Sequence, residues 1–202
     1  TITSNTAGAG YDIDNVLIEN NWIKNSYNGI RAFANSNSTY ENLIINNNEI
    51  GSDNLEESVG IIGINLNYCP NSIIKNNFIH NINWSGSPNA ISGIQLNNSN
   101  NSEISNNKIN SLWQIYYNFP GGGAYGINAM SSSLLIANNE IFDIVTTTNS
   151  PTIAIVNISI GIRITGSNQR IYFNSINLYG IQQQGMMSNG NISACILATS
   201  NL

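Results

Sequence analysis

The sequence predicts an all-β solenoid of about six coils, each built from three short strands. A string made of an Ile, a spacer, a pair of asparagines, a spacer and another Ile returns six times along the chain. A second string, Gly-Ile-x-hydrophobic, follows each copy of the first. Within both, apolar and polar residues alternate with a period of two, which suits strands with one buried face and fits no helix. A repeat of this length means stacked structural units.

The first string reads Ile18-Glu19-Asn20-Asn21-Trp22-Ile23, then Ile45-Asn46-Asn47-Asn48-Glu49-Ile50, then Ile74-Lys75-Asn76-Asn77-Phe78-Ile79. It continues as Ile104-Ser105-Asn106-Asn107-Lys108-Ile109 and Ile136-Ala137-Asn138-Asn139-Glu140-Ile141, and ends, weakened, as Ile171-Tyr172-Phe173-Asn174-Ser175-Ile176. The second reads Gly29-Ile30-Arg31-Ala32, Gly63-Ile64-Asn65-Leu66, Gly93-Ile94-Gln95-Leu96, Gly126-Ile127-Asn128-Ala129 and Gly161-Ile162-Arg163-Ile164. Ala194-Cys195-Ile196-Leu197 stands in the last place.

The asparagine in the fourth position of each first string sits where the chain must turn sharply. It is expected to adopt the left-handed conformation that Asn tolerates. Its amide is expected to bond the copies above and below at the ~4.8 Å strand spacing, forming an asparagine ladder.

This pattern resembles the right-handed parallel β-helix of the pectate-lyase-like superfamily, over essentially the whole chain. The resemblance implies a first strand at Gly-Ile-x-Leu, a second at Ile-x-Asn-Asn entering its turn, and a third beginning at the trailing Ile. In function the superfamily is diverse, spanning polysaccharide lyases, glycoside hydrolases, epimerases, tailspikes and non-catalytic surface proteins.

Residues 1–202 are read as one solenoid domain. Charged residues make up 8% of the chain, against about a quarter in ordinary proteins, and the net charge is −5. No basic patch is available to neutralise phosphates, which argues against nucleic acid and anionic membrane surfaces as partners. No apolar run approaches the ~20 residues that span a bilayer. The opening Ile2-Thr3 and the closing Leu197-Ala198-Thr199 both match Ile164-Thr165 in phase. The expectation is therefore a segment of a longer solenoid that continues in the parent chain.

Cys69 and Cys195 fall four coils apart, roughly 19 Å at the strand spacing, too far for a disulfide. Cys195 takes the place of an inward Ile and is expected to be a small core residue.

Successive leading Ile anchors are 27, 29, 30, 32 and 35 residues apart. Nearly all the growth lies between the trailing Ile and the next Gly, so the insertions are expected to stack along one edge. Loops on a rigid scaffold are where binding residues concentrate, and the resemblance places a groove along the first strand, walled by such loops. The fourth-coil insertion carries Trp113, Tyr116, Tyr117, Phe119 and Tyr125, and the third adds Trp84. Aromatic faces suit the CH-rich faces of sugar rings; the alternative is that they pack the loop back onto the coil. In the fifth coil, β-prone arms at Ile144-Val145 and from Ile153 to Ile160 suggest a hairpin excursion.

If the Gly-Ile isoleucines point inward, the next residues form an outward row: Arg31, Asn65, Gln95, Asn128, Arg163 and Ile196. No carboxylate stands in it, so the acidic centres that the resembling lyases and hydrolases need cannot be matched. Arg31 and Arg163, roughly 19 Å apart, could contact only separate units of an extended glycan. Asp53, Glu56 and Glu57 follow no recognised calcium spacing. His80, the single histidine, could pair with Asp53 of the preceding coil. No catalytic residue, metal or cofactor is assigned.

The expected function is a non-catalytic, secreted or cell-surface module, stalk-like or adhesin-like, that binds polysaccharide or cell-surface glycan along its looped edge. The alternative is a polysaccharide lyase or glycoside hydrolase whose acidic centre lies in other coils. A tailspike-like assembly would need an exposed apolar stripe down one flank, and the two strings reveal none.

Overall fold

A computed structural model describes residues 2–3, 13–85, 89–115, 122–147, 158–178 and 193–199. After β1 (Ile2–Thr3), the first rung comprises β2 (Leu17–Glu19), β3 (Trp22–Ile23) and β4 (Ser26–Phe33). Rung 2 is β5 (Ile44–Asn46), β6 (Glu49–Ile50) and β7 (Val59–Asn67), and rung 3 is β8 (Ile73–Lys75), β9 (Phe78–Trp84) and β10 (Ile91–Asn97). Rung 4 is β11 (Glu103–Ser105), β12 (Lys108–Ile115) and β13 (Ala124–Met130); rung 5 is β14 (Leu135–Ala137), β15 (Glu140–Thr147) and β16 (Ser159–Ile164). Rung 6 is β17 (Arg170–Tyr172), β18 (Ser175–Asn177) and β19 (Ser193–Ala198).

The fold is a parallel β-solenoid. The leading isoleucines stack as a six-stranded sheet, with Ile18, Ile45, Ile74, Ile104, Ile136 and Ile171 in register. The trailing-Ile and Gly-Ile stacks form a thirteen-stranded sheet, joined where Val59 pairs with Ile82. By pairing there are six rungs, but only about four turns are closed. The leading and trailing anchors of rungs 2 to 5 are fully buried, whereas Ile18, Ile23, Ile171 and Ile176 at the ends are half-buried.

Each glycine of the second string is demanded by close approach. A Cβ on Gly93 would lie 2.5 Å from Ile109 Cγ2 and 2.7 Å from the Gly126 carbonyl oxygen, and Gly29, Gly63, Gly126 and Gly161 meet the same two obstacles. The γ2 methyl of the next trailing Ile fills the space a side chain would need, which couples the two strings into one core.

The asparagine ladder is present, with its labour divided between two residues. Asn20, Asn47, Asn76, Asn106 and Asn138, in the third position of the string, take the left-handed bend at φ 54 to 59°. The fourth-position asparagines do not, contrary to expectation; they turn inward and stack. Asn48 Nδ2 donates to Asn77 Oδ1 at 3.0 Å, Asn77 to Asn107 at 2.9 Å, Asn107 to Asn139 at 3.0 Å and Asn139 to Asn174 at 2.9 Å. Each also donates to a carbonyl of the rung before, as Asn107 does to Ile74 at 2.9 Å. Left-handed bends recur at five-residue intervals, as at Asn71, Asn76 and Asn81 and at Asn101, Asn106 and Ser111, so much of the Asn content serves the corners.

A second corner, between the Gly-Ile strand and the next leading Ile, carries a column of small polar side chains. The Cys69 amide donates to Ser99 Oγ at 3.0 Å, the Ser99 amide to Ser131 Oγ at 2.8 Å, and the Ser72 amide to Ser102 Oγ at 3.0 Å. Cys69 therefore stands where its neighbours have serine, fully buried, and burial pushes its thiol pKa up to about 12.

The sixth rung corrects one register. Ile162 pairs with Ile196 and Arg163 with Leu197, so Cys195 lies beside Gly161 in the glycine column and is exposed, not a core residue. The same one-residue shift pairs Ile164 with Ala198, while Ile2 pairs with Ala32 of that column. A thiol reagent at pH 8 should label Cys195 in the native protein and spare Cys69 until the chain unfolds; mass spectrometry of peptides labelled with and without denaturant checks this.

The described ends of the fifth-coil arms pair with other rungs and not with each other. Ile144 and Val145 pair in parallel with Leu112 and Trp113, and Ile160 pairs with Tyr125 and Ala194. Residues 148–157 between them lie outside the described residues. So do 86–88, 116–121 and 179–192, which belong to the other insertions.

Candidate functional site

The outward row of the Gly-Ile stack is in register from end to end: Arg31 with Asn65, Gln95, Asn128 and Arg163. Its last member is Leu197 and not Ile196. The row is less exposed than expected. Asn65 is 6% and Asn128 3% exposed, and both arginines lie partly buried along aromatic rings. The Arg31 guanidinium sits 4.0 Å from the Phe33 ring centre and that of Arg163 sits 5.5 Å from Tyr125.

Arg163 Nη1 donates to Asn128 Oδ1 at 3.3 Å, and Asn128 Nδ2 donates to Gln95 Oε1 at 3.2 Å. The hydrogen-bonded chain thus runs from rung 5 to rung 3. Beyond it lie Asn65, whose buried Oδ1 accepts no bond, and Arg31, whose buried Nε donates none. These two residues line a cleft of about 380 Å³ with Gln95, Tyr27, Asn28, Ile61, Ile62, Asn89 and Ala90. Three residues of the predicted row therefore share one concavity, on the strand stack where the groove was expected. Asn128 and Arg163 continue the row away from it.

The aromatic residues divide. Trp84 packs edge-on to Tyr27, with ring centres 5.2 Å apart and planes at 88°, and lies over Gly60, where a Cβ would approach the indole to 3.3 Å. It buttresses Tyr27, which is 53% exposed and forms one wall of the cleft. Trp113 is in register with Asn83 and Trp84 with Gln114, so the two indoles leave opposite sides of neighbouring strands and make no common platform. Trp113 Nε1 donates to Asp143 Oδ2 at 3.3 Å. Tyr125, expected on the surface, is 2% exposed in a small core with Ile158 and Ile160. Burial pushes its phenol above the ordinary range, against the opposing Arg163 charge. Tyr116, Tyr117 and Phe119 lie outside the described residues.

Comparison with protein-family models, with curated proteins and with solved structures finds no match to this chain. The reading of the site rests on its own chemistry.

The second-coil carboxylates separate. Glu57 is bonded to Lys24 at 2.6 Å, and that ammonium holds its carboxyl below the usual range. Asp53 Oδ1 lies 3.6 Å from His80 Nδ1, while Glu49 Oε1 lies 3.3 Å from Nε2 on the other side. His80 is stacked on Phe78 at 4.2 Å and is 3% exposed. Both ring nitrogens are occupied by neighbouring side chains, so the imidazole ties the excursion to the coil. Among the described residues no group of three or more His, Cys, Asp or Glu side chains could hold a metal ion. No helix there is long and apolar enough to cross a membrane.

Two features of the site escaped sequence reasoning. Tyr27 precedes the Gly-Ile string by only two residues and belongs to no insertion, so nothing marked it as a wall. The second is a partial apolar column: Leu17, Ile44, Ile73 and Leu135 share one outward column of the leading-Ile stack, interrupted by Glu103 in rung 4. Leu17 is 57% exposed and the others are half-buried.

Proposed function

We propose that this chain is a rigid, non-catalytic β-helix module of the secreted or cell-surface type, related in architecture to the right-handed pectate-lyase-like solenoids, that holds a glycan on the Gly-Ile stack. The observation that carries the reading is the pairing of orphans in the cleft. Asn65 has an acceptor without a donor, and Arg31 a donor without an acceptor. A buried polar group left unbonded costs about 1–3 kcal/mol, and both atoms lie beneath the cleft surface, so a ligand that both donates and accepts recovers that free energy once these side chains rotate to meet it. Sugar hydroxyls do both, and the exposed Tyr27 ring offers the flat apolar face that sugar CH groups prefer. No carboxylate lines the described part of the cleft, which favours binding over hydrolysis or elimination.

A glycan array probed with this chain tests the reading. Retention of at least one glycan class is expected, with loss of about tenfold or more in affinity for Asn65→Ala and for Tyr27→Ala, and little change for Trp113→Ala, which lies on another face. Retention indifferent to Asn65 and Tyr27 would exclude the cleft. Release of reducing ends or unsaturated products from a polysaccharide panel would replace the binding module by a lyase or hydrolase.

A further inference from the structure

The outward face of the leading-Ile stack has a pattern of its own. One column reads Leu17, Ile44, Ile73, Glu103, Leu135 and Arg170 from rung 1 to rung 6, and its neighbour begins with Glu19 and places Lys75 in rung 3. The face therefore combines an apolar stripe with two anions and two cations. Among the described residues, none of the four charges has an ion pair within the chain; the salt bridges are Lys24–Glu57, His80–Glu49, His80–Asp53 and Lys108–Glu140.

The order of the charges selects an occupant. If two copies met with their axes parallel, each rung would face its own equivalent. Glu19 would meet Glu19, Lys75 Lys75, Glu103 Glu103 and Arg170 Arg170, which is repulsive throughout. With the axes antiparallel about a two-fold between rungs 3 and 4, rung 1 faces rung 6 and rung 3 faces rung 4. Glu19 then shares a level with the other copy's Arg170, and Lys75 with its Glu103. Each pair occurs twice by symmetry, and Ile44 lies level with Leu135.

We propose that this face binds the same face of a second copy, antiparallel, through the Ile44–Leu135 contacts and these reciprocal charge pairs, with Leu17 and Ile73 packing under the aliphatic stems of the facing Arg170 and Glu103. The surface serving it is distinct from the glycan cleft, which lies on the Gly-Ile stack. Six three-residue strands at ~4.8 Å spacing make a face only about 25 Å by 10 Å. That is well under a standard interface, so the dimer is weak and forms at high protein concentration.

Sedimentation equilibrium on the full chain, from about 10 µM to 1 mM at low salt, reads the result. The expected outcome is a reversible dimer that weakens as salt rises. Lys75→Glu and Glu103→Lys should each lower the association constant by about tenfold or more, while an equimolar mixture of the two variants restores it, because the mixed pair regains both charge contacts. Ile73→Asp should abolish association with the far-UV circular dichroism unchanged. A monomer throughout, a trimer, or a dimer insensitive to both charge variants overturns the proposal. So does a mixture that fails to recover, since Lys75 and Glu103 would then not face each other across the two copies; a parallel arrangement would show itself as indifference to each single variant.

Discussion

Asn107→Ala should destabilise the protein by about 2–4 kcal/mol, a large effect for a single polar side chain. Asn107 is 1% exposed and central in the ladder. Its Oδ1 accepts from both the amide and the side chain of Asn77, at 3.0 and 2.9 Å, and its Nδ2 donates to Ile74 O and Asn139 Oδ1. Alanine leaves the Asn77 backbone amide without its acceptor and removes the side-chain donor to Ile74 O and Asn139 Oδ1, in a space closed to water; Asn139 Oδ1 keeps the Asn107 amide, and Asn77 Nδ2 keeps Ile45 O and Lys75 O. Asn107→Asp should be no better. The carboxylate could accept from Asn77, but it would face the Ile74 carbonyl and the Asn139 amide oxygen with nothing to donate. Urea unfolding followed by circular dichroism gives the shift; a loss under about 1 kcal/mol would mean that the ladder is decorative.

Gly126→Ala should cost about 3 kcal/mol or more for one methyl group, through overpacking. The new Cβ would stand 2.5 Å from Ile141 Cγ2 and 2.6 Å from the Gly161 carbonyl oxygen. The second obstacle is backbone held by strand pairing, so relief requires separating rungs 4 and 5. Cys195 supplies the control, since it occupies the same column in rung 6 and is exposed. Cys195→Gly should change stability by less than about 1 kcal/mol. Equal tolerance at both positions, measured as a thermal midpoint, would refute the close-approach explanation of the Gly-Ile string.

The repeat was legible because its anchors are inescapable. An Ile at either end of a six-residue string must face inward twice, and every interior copy does so. The finer assignments slipped where two neighbouring residues were both suited to a role. Two adjacent asparagines can each bend the chain or bond across rungs, and spacing alone does not say which does what. In the last copy Ala194 looked like the nearest substitute for glycine. The pairing of Ala198 with Ile164, in a column that already contains Ala32 and Ala129, shows that Cys195 holds the glycine's place. The serine corner was visible in principle as Ser99-x-x-Ser102 in one coil and Cys69-x-x-Ser72 in another, but serine in a polar connection draws no notice. The cleft was half legible: its outward row follows from strand alternation, whereas its wall at Tyr27 and the burial of Asn65 depend on neighbours far away in sequence.

The ladder also sets how the molecule bears load. Its amides all point the same way along the axis, so their dipoles add and each contact strengthens the next. Tension along that axis is carried in series, contact after contact, and extension proceeds one layer at a time from whichever end is pulled. Each step of that extension must part a whole layer of strand-pairing bonds together with one ladder contact, because both run from rung to rung along the axis.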